Sequence, residues 1–363
     1  MSLKIFIIAG EASGDWLGAK LISEIHKTHP DAKFYGIGGI KMQAEGFQSM
    51  FGMQEISLMG FAEILPHLPN LLKRMKQTEN EIRRIKPDVV VTIDSPGFNF
   101  RIAEKLQDMR PAIKLVHYVA PTVWAYKPER AGKVNRLFDK LLCILPFEPP
   151  YFANAEFIGH PVVEDGLDRG NAAGFRARHG NIGEFICMMP GSRRGELKRN
   201  LPVFKTVAEN MGMDVVIIAA DNAVIDVSGW KVKTVIVSNF EKADCFAAAS
   251  AGVIKSGTSG LEFAFANKPY VVAYKISWPS YVIIKMMLKI KYANLLNIIA
   301  GRELVPELIQ GNCTPKKITA ALRGAMANAD LGEYKSNLAT LKPLSGTPSS
   351  NAAAAVLKLC RGS

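Results

Sequence analysis

The sequence predicts an α/β protein built from two doubly wound, Rossmann-like domains that face each other across a cleft. An apolar run at residues 5–9 is followed by a glycine-bearing turn and a helix over residues 16–27, which is the element order of a doubly wound sheet. The same order restarts at residues 185–190, after a polar stretch at residues 165–180 that marks a domain boundary. A chain of 363 residues is also longer than one hydrophobic core usually serves.

The composition describes a globular protein with an anionic partner. Hydrophobic residues make up 48% of the chain and charged residues 21%, which separates it from disordered chains. The net charge of +12 favours nucleic acid, a phosphorylated metabolite or an anionic membrane surface as the partner. Charge alone does not choose among these three.

The cysteines and the absence of targeting patterns predict a cytoplasmic protein. The five cysteines are an odd number at wide spacing without a C-x-x-C pair, as expected in a reducing compartment. No secretory pattern opens the sequence, and no run of ~18 apolar residues predicts a membrane span. Neither H-E-x-x-H nor D-x-D is present, so we expect no metal and no cofactor.

Residues 255–262 are a small-residue loop that opens a helix, predicted from Leu261 onward. Unpaired backbone N–H groups and the helix dipole make such a position favourable for a phosphate. Glu262, one turn further, would repel a phosphate but suits the two hydroxyls of a ribose, so the segment is typical of a nucleotide diphosphate site. For a segment of this kind taken alone, an ordinary capped loop is the commoner explanation.

Residues 87–94 form the clearest strand in the chain, and Asp94 lies at its carboxyl end. Parallel sheets bind ligands at that end, so Asp94 is a candidate catalytic residue. Its alternative role is a helix N-cap. We disfavour that role because Pro96 and Gly97 indicate that the next helix begins later, near Arg101.

The turn after the first strand carries Glu11 and Ser13. It lacks the G-x-G-x-x-G pattern and places carboxylates where a dinucleotide pyrophosphate would lie, which disfavours a dehydrogenase. Glu11 and Ser13 suit sugar hydroxyls or an acceptor better.

Two segments, residues 57–76 and 276–291, combine large apolar side chains with lysine or arginine at helical spacing. One interpretation is amphipathic helices packed on the core. The other is a segment that lies in a membrane interface, with apolar residues in lipid and basic residues at the headgroups.

Eight motifs resemble, in order along the chain, those of the lipid-A-disaccharide synthase family of GT-B glycosyltransferases. They extend from residue 10 to beyond residue 300, and their order makes the resemblance specific. They are Gly10-Glu-Ala-Ser-Gly-Asp15, Ile93-Asp-Ser-Pro-Gly-Phe-Asn99, His117-Tyr-Val-Ala-Pro-Thr-Val-Trp-Ala125, Leu145-Pro-Phe-Glu148, Phe157-Ile-Gly-His160, Pro190-Gly-Ser-Arg193 with Glu196, Ser256-Gly-Thr-Ser-Gly-Leu-Glu262 and Asn297-Ile-Ile-Ala-Gly-Arg-Glu-Leu304.

The resemblance implies an inverting transfer of 2,3-diacylglucosamine from its UDP donor to 2,3-diacylglucosamine 1-phosphate, forming a β-1,6-linked disaccharide phosphate and UDP. Residues 1–168, joined by a C-terminal helix at 346–363, would be the acceptor and catalytic domain, and residues 169–345 the UDP-sugar-binding domain. The implied location is the inner face of the inner membrane, to which the enzyme would bind peripherally. A homodimer is possible, and nucleic acid is not expected as a partner.

The resemblance also assigns residues. Asp94 aligns with the essential aspartate of the family, and we expect it to be the base; the alternative is that it holds another group in position, and the sequence does not separate the two roles. Arg193, Glu262 and Asn297 align with residues near the nucleotide. The complete set expected to bind substrate is Glu11, Ser13, Arg193, Ser256, Gly257, Thr258, Ser259, Glu262, Asn297 and Glu303.

Two positions depart from the family pattern. Gly97 replaces an acidic residue that some relatives carry, which leaves Asp94 as the only carboxylate of its motif. Leu296 stands where a proline often precedes the asparagine, so the loop at Asn297 can differ.

Other functions remain as alternatives. One is another UDP-sugar GT-B enzyme, such as a UDP-N-acetylglucosamine 2-epimerase or a lipid-linked sugar transferase. Another is a non-catalytic lipid- or nucleic-acid-binding protein, which would explain the charge but not an acid at a strand tip.

Overall fold

The computed structural model describes residues 2–57, 61–219, 223–287 and 290–361, with the backbone alone for residues 61–67, 283–284 and 361. The chain divides into two compact units, Met1–Pro161 with Leu341–Ser363 and Val162–Thr340. Each unit contains a six-stranded parallel sheet. The predicted α/β class with two Rossmann-like domains is therefore confirmed.

The first unit is built around a parallel sheet of order β2-β1-β3-β4-β5-β6. Alternate residues of β1 enter two different cores, Phe6 and Ile8 on one face and Ile5 and Ile7 on the other, as the two-residue period of a strand requires. The strands are β1 (Lys4–Ala9), β2 (Lys33–Ile37), β3 (Val89–Ile93), β4 (Lys114–Tyr118), β5 (Lys140–Cys143) and β6 (Ala155–Phe157). The helices between them are α1 (Ala12–Thr28), α2 (Ile40–Ala44), α3 (Phe61–Ile85), α4 (Pro96–Lys105) and α5 (Arg130–Leu137).

The second unit repeats the plan with a parallel sheet of order β12-β11-β10-β7-β8-β9. Its strands are β7 (Phe185–Met189), β8 (Asp214–Ile218), β9 (Thr234–Val237), β10 (Ala251–Ile254), β11 (Tyr270–Tyr274) and β12 (Glu307–Ile309). Its helices are α6 (Ala172–Arg178), α7 (Arg194–Met211), α8 (Lys242–Ala248), α9 (Thr258–Phe265), α10 (Trp278–Met287), α11 (Leu295–Ala300), α12 (Pro315–Asn328) and α13 (Leu331–Ala339).

The last helix, α14 (Pro348–Arg361), belongs to the first unit. Ala352, Ala353, Ala355 and Val356 of this helix are buried in the same cluster as Leu21 and Ile22 of α1. Small side chains allow the two helices to approach closely, which explains the alanine-rich sequence of α14.

Several helices differ from their sequence-based predictions. Helix α1 begins at Ala12 and not near Trp16, so part of the predicted turn forms its first turn. Helix α4 begins at Pro96 and not near Arg101, because a proline at the first helical position needs no N–H partner. Helix α9 begins at Thr258, so three residues of the predicted loop form its first turn. Residues 276–296 contain helix α10 and the start of helix α11, in place of one continuous periodic segment.

The segment at residues 57–76 has a mixed environment. Leu71 and Met75 of α3 are buried in the core of the first unit, whereas Leu68 and Leu72 are exposed. The apolar residues Leu58 and Met59 lie outside the described residues. In the part of the chain that is described, no helix is both long and apolar enough to cross a membrane.

Candidate functional site

The carboxyl edge of the first sheet brings Asp94 beside the turn that carries Glu11 and Ser13. Ala9 pairs with Ile93 in the parallel register, so Gly10 and Asp94 leave the sheet side by side. A Cβ atom on Gly10 would lie 2.6 Å from Ser95 Oγ, and this close approach favours glycine. Glu11 directly precedes α1, and Ser13 is exposed in its first turn.

Asp94 and the next residue have an unusual backbone conformation. Their φ angles are 48° and 45°, in the left-handed region that non-glycine residues rarely adopt. The buried amide of Asn99 donates to the carbonyl of Asp94 at 2.7 Å and to that of Ile93 at 3.2 Å. The Asp94 amide donates to the Tyr118 carbonyl at 2.9 Å, which ties the turn to β4. Such strain persists only where the surroundings hold it, and it is concentrated at functional sites.

The Asp94 carboxyl is partly buried and has a shifted pKa. Burial raises the pKa above its ordinary value, and a hydrogen bond from the Ser95 backbone opposes that shift. A carboxyl whose pKa is raised toward neutrality is a stronger base than an ordinary aspartate, which suits proton abstraction from a hydroxyl.

The carboxyl edge of the second sheet joins two of the predicted motifs. Ile254 of β10 pairs with Met189 of β7, so the residues that follow each strand are neighbours. The ammonium of Lys255 lies 2.7 Å from the Glu196 carboxylate, and the Lys255 amide donates to the Met189 carbonyl at 2.9 Å. These contacts place the segment around Arg193 next to residues 255–262.

Arg193 is exposed at the N-cap of α7, and Glu196 at the third helical position provides the half of a capping box that accepts the N-cap amide. The Glu196 carboxylate accepts the amides of Ser192 at 3.3 Å and Arg193 at 3.5 Å. Burial is the largest single influence on the pKa of Glu196 and acts to raise it, but the hydrogen bond and charge of Lys255, together with the backbone amide and charge of Arg193, outweigh burial and leave the pKa lowered. Glu196 therefore stays ionised and fixes both motifs, while Arg193 is exposed.

The N-terminus of α9 carries the remaining small polar residues. Gly257 is its N-cap with a φ of +133°, and no atom lies within 4 Å of the position its Cβ would occupy. Thr258 is exposed and Ser259 partly exposed. The Ser256 hydroxyl donates to the Ala293 carbonyl at 2.7 Å, which anchors the start of the segment. The arrangement leaves backbone N–H groups of the first turn open to an anion.

Glu262 lies one turn further along α9 and is paired with a residue that the sequence did not single out. The ammonium of Lys242, at the start of α8, lies 2.9 Å from its Oε2 atom, and each side chain is 18% exposed. The ion pair limits the rotation of the carboxylate, so its second oxygen has a defined direction.

Asn297 is in a different environment from the one its predicted role requires. It is fully buried, and its Oδ1 atom accepts the amides of Leu304 at 2.8 Å and Val305 at 2.9 Å. Its Nδ2 atom donates to the Val305 carbonyl at 2.8 Å and to Glu307 at 2.9 Å. Both lone pairs and both hydrogens are used, so the geometry favours a positioning role for Asn297.

Glu307 organises the loop beside this asparagine. Its carboxylate also accepts the amides of Ala293 and Asn294, each at 2.8 Å. Because Ala293 holds Ser256, this network reaches the N-terminus of α9. Glu303 is exposed on the loop that Asn297 orders.

Sequence reasoning missed the residues that hold the site without facing it. Asn99 and Glu196 stand inside quoted motifs, so their motifs were a usable signal. Lys242 and Glu307 have no local signal, because their partners are distant in sequence. Among the described residues, no group of three or more His, Cys, Asp and Glu side chains is placed to hold a metal ion.

A family model and several known proteins match most of the chain. The family model described as "Lipid-A-disaccharide synthetase" matches residues 5–355. The lipid-A-disaccharide synthase of Granulibacter bethesdensis is 40% identical, over 98% of each chain. Among solved structures, the glycosyltransferase of kitacinnamycin superposes with a TM-score of 0.66 at 13% identity, over 99% of this chain and 100% of that chain.

A second solved structure is the UDP-GlcNAc 2-epimerase of Methanocaldococcus jannaschii, in complex with UDP-GlcNAc and UDP. It superposes with a TM-score of 0.60 at 12% identity, over 99% of each chain. At these identities the structural likenesses show the fold alone, which is the GT-B fold.

Proposed function

This chain belongs to the lipid-A-disaccharide synthase family of glycosyltransferases, and we propose that it makes the lipid A disaccharide by the reaction that the family resemblance implies. The donor is UDP-2,3-diacylglucosamine and the acceptor is 2,3-diacylglucosamine 1-phosphate. The products are the β-1,6-linked tetraacyl disaccharide 1-phosphate and UDP. The structural observation that carries the proposal is Asp94, held at the carboxyl edge of the first sheet with a raised pKa.

Asp94 acts as the base in this proposal. The acceptor 6-hydroxyl transfers its proton to the carboxylate while its oxygen forms a bond to the anomeric carbon of the donor. The bond from that carbon to the diphosphate breaks on the opposite face, and UDP leaves with the electron pair. Inversion follows from a single in-line displacement. Glu11 and Ser13, beside Asp94, bind sugar hydroxyls.

The second unit binds the UDP part of the donor. The backbone amides of Gly257, Thr258 and Ser259 and the guanidinium of Arg193 meet the diphosphate, whose negative charge grows as it leaves. Glu262 accepts the ribose hydroxyls, with Lys242 holding it in place. Asn297, through Glu307 and Ala293, keeps Ser256 in position.

The acylated substrates require a bilayer surface, and the exposed side chains support peripheral binding to one. Helix α10 exposes Trp278 (66%) and Met286 (75%) next to the exposed Lys285. Helix α3 exposes Leu68 and Leu72 before the exposed Lys73. Apolar side chains with adjacent lysines are the composition of an interfacial surface.

The direct test is incubation of the purified protein with UDP-2,3-diacylglucosamine and the acceptor. We expect UDP release that depends on the acceptor, together with a product whose mass equals one acceptor plus one acylated sugar. Release of UDP without that product would contradict the proposal. Conversion of UDP-N-acetylglucosamine at C-2, with no transfer, would favour the epimerase alternative.

A further inference from the structure

The loop after β4 begins with a strained residue. Val119 has a φ of +75°, a conformation that is a genuine outlier for a β-branched side chain. Its amide donates to the Leu142 carbonyl at 3.0 Å, and the preceding residue, Tyr118, accepts the amide of Asp94 at 2.9 Å. The loop at residues 119–126 therefore leaves the sheet at the same edge as Asp94, one strand away.

A buried carboxylate fastens this loop to the next strand. Glu148 is 1% exposed. Its Oε1 atom accepts the indole N–H of Trp124 at 3.3 Å, and its Oε2 atom accepts the amides of Ile144 at 3.2 Å and Leu145 at 3.0 Å. Within the described residues, these three neutral donors are its recorded hydrogen-bond partners. Burial raises the pKa of Glu148 to about 7, which reflects the cost of keeping an unpaired carboxylate there.

The hydrogen bond between Trp124 and Glu148 helps to fix a pair of aromatic rings. Trp124 and Phe147 meet edge to face, with ring centroids 5.1 Å apart and planes at 88°. Both rings are partly exposed, although their neighbours Val123, Ala125 and Leu145 are buried. Because Glu148 already satisfies the indole N–H, the orientation of the indole is set before any ligand arrives. A preset aromatic surface lowers the entropy cost of binding.

We propose that Trp124 and Phe147 form the subsite for the pyranose ring of the acceptor, with Glu148 as the positioning residue that orients Trp124. The subsite rests on the proposed function, because it takes its ligand from that reaction. Aromatic side chains with a few fixed polar groups are the usual lining of a small-molecule site. A sugar ring packed on this pair would lie at the sheet edge that carries Asp94, which needs the acceptor hydroxyl within hydrogen-bond reach.

The test compares the KM for the acceptor with the KM for the donor in four variants. Trp124→Leu removes the ring, and we expect the acceptor KM to rise by at least ~10-fold with the donor KM unchanged. Trp124→Phe keeps a ring without the N–H, and Glu148→Gln keeps the shape without the charge. Each of these should raise the acceptor KM by a smaller factor. Trp230→Leu is the matched control, since Trp230 is also partly buried but packs on the core of the second unit.

Direct binding separates this subsite from the proposed reaction. Acceptor affinity is measured by calorimetry on the parent, Trp124→Leu and Trp230→Leu proteins without donor, and thermal unfolding is followed for each. The subsite is supported if, of the three proteins, only a folded Trp124→Leu protein binds the acceptor more weakly, whether or not transfer occurs. Unchanged acceptor affinity, or a loss of UDP affinity in its place, overturns it. If Trp124→Leu does not fold, Trp124→Phe and Glu148→Gln decide in the same way.

Discussion

The side-chain amide of Asn99 donates to the main-chain carbonyl of Asp94 at 2.7 Å and so braces a left-handed turn from inside the following helix. Asn99 is fully buried, and its second recorded acceptor is the carbonyl of Ile93. The direction of the Asp94 carboxyl thus depends on a residue that does not face the substrate.

We predict that Asn99→Ala lowers kcat by ~10-fold or more and leaves UDP affinity unchanged. Without the amide, the strained turn relaxes and the Asp94 carboxylate moves from its catalytic position. The matched variant is Asn200→Ala, because Asn200 is equally buried but braces the Pro190 carbonyl and the Lys275 amide. It should weaken UDP binding first. A normal kcat for the Asn99→Ala enzyme would show that the turn keeps its conformation without the Asn99 side chain.

Asp94→Asn should keep the fold and donor binding but lose at least ~100-fold in turnover, the scale of a positioned base. We also expect kcat to fall as the pH is lowered through the raised pKa of the Asp94 carboxyl, since only the ionised form accepts a proton. Steady-state kinetics from pH 5 to 9 check both. A folded Asp94→Asn protein with near-normal turnover would remove Asp94 from the catalytic residues.

Arg193→Ala and Glu262→Ala should each weaken UDP binding by ~10-fold or more, because a charged hydrogen bond contributes about 1.5–3 kcal/mol. Arg194→Ala removes the same charge from the adjacent exposed position and is the control. Calorimetric titration with UDP measures all three, and a drop in affinity as large for Arg194→Ala would mean that charge alone matters.

Activity should also survive exhaustive treatment with EDTA. The amides at the start of α9 and the guanidinium of Arg193 are expected to meet the charge of the diphosphate without a divalent ion. Transfer assays before and after EDTA test this prediction. Loss of activity that Mg²⁺ or Mn²⁺ restores would contradict it.

Glu148→Gln should change how stability depends on pH. The folded pKa of about 7 lies above the ordinary value of 4.5, so the folded state binds more protons than the unfolded state between these pH values. The free energy of unfolding of the parent therefore falls as the pH rises from 4.5 to 7, by up to about 3 kcal/mol, and the loss remains at higher pH. Of the groups near Glu148, the indole of Trp124 does not titrate in this pH range. The Cys143 thiol stays neutral because burial raises its pKa. Urea unfolding at several pH values should give a flatter profile for the glutamine variant, and equal slopes would contradict the raised pKa.

The membrane proposal separates three leucines of α3. Leu68→Ser with Leu72→Ser should reduce binding to anionic vesicles with little loss of thermal stability, since both side chains are exposed. Leu71→Ser should instead cost about 3 kcal/mol of stability, because Leu71 lies in the core. Vesicle sedimentation at low and high salt is the measurement, and we expect only partial release at high salt. No vesicle binding by the parent protein would end the proposal.

The sequence by itself determined the fold class and the places where chemistry is expected. Asp94 ends an apolar strand, and residues 255–262 open a helix. Both features follow from short-range sequence patterns that do not depend on the rest of the fold. The motifs extended these patterns to a family, which the matched residues 5–355 confirm. Periodicity and propensity act over a few residues, so they suffice for strands, turns and their order.

The tertiary structure decided which side chains support these positions. Lys255 meets Glu196 across 59 residues of sequence, and Trp124 meets Glu148 across 24. It also decided that Leu71 faces the core while Leu72, one residue on, faces solvent. Asn297, predicted to contact the nucleotide, is saturated by the loop it orders. Such roles depend on which strands become neighbours in the sheet, and no local sequence pattern encodes which distant residues are brought together.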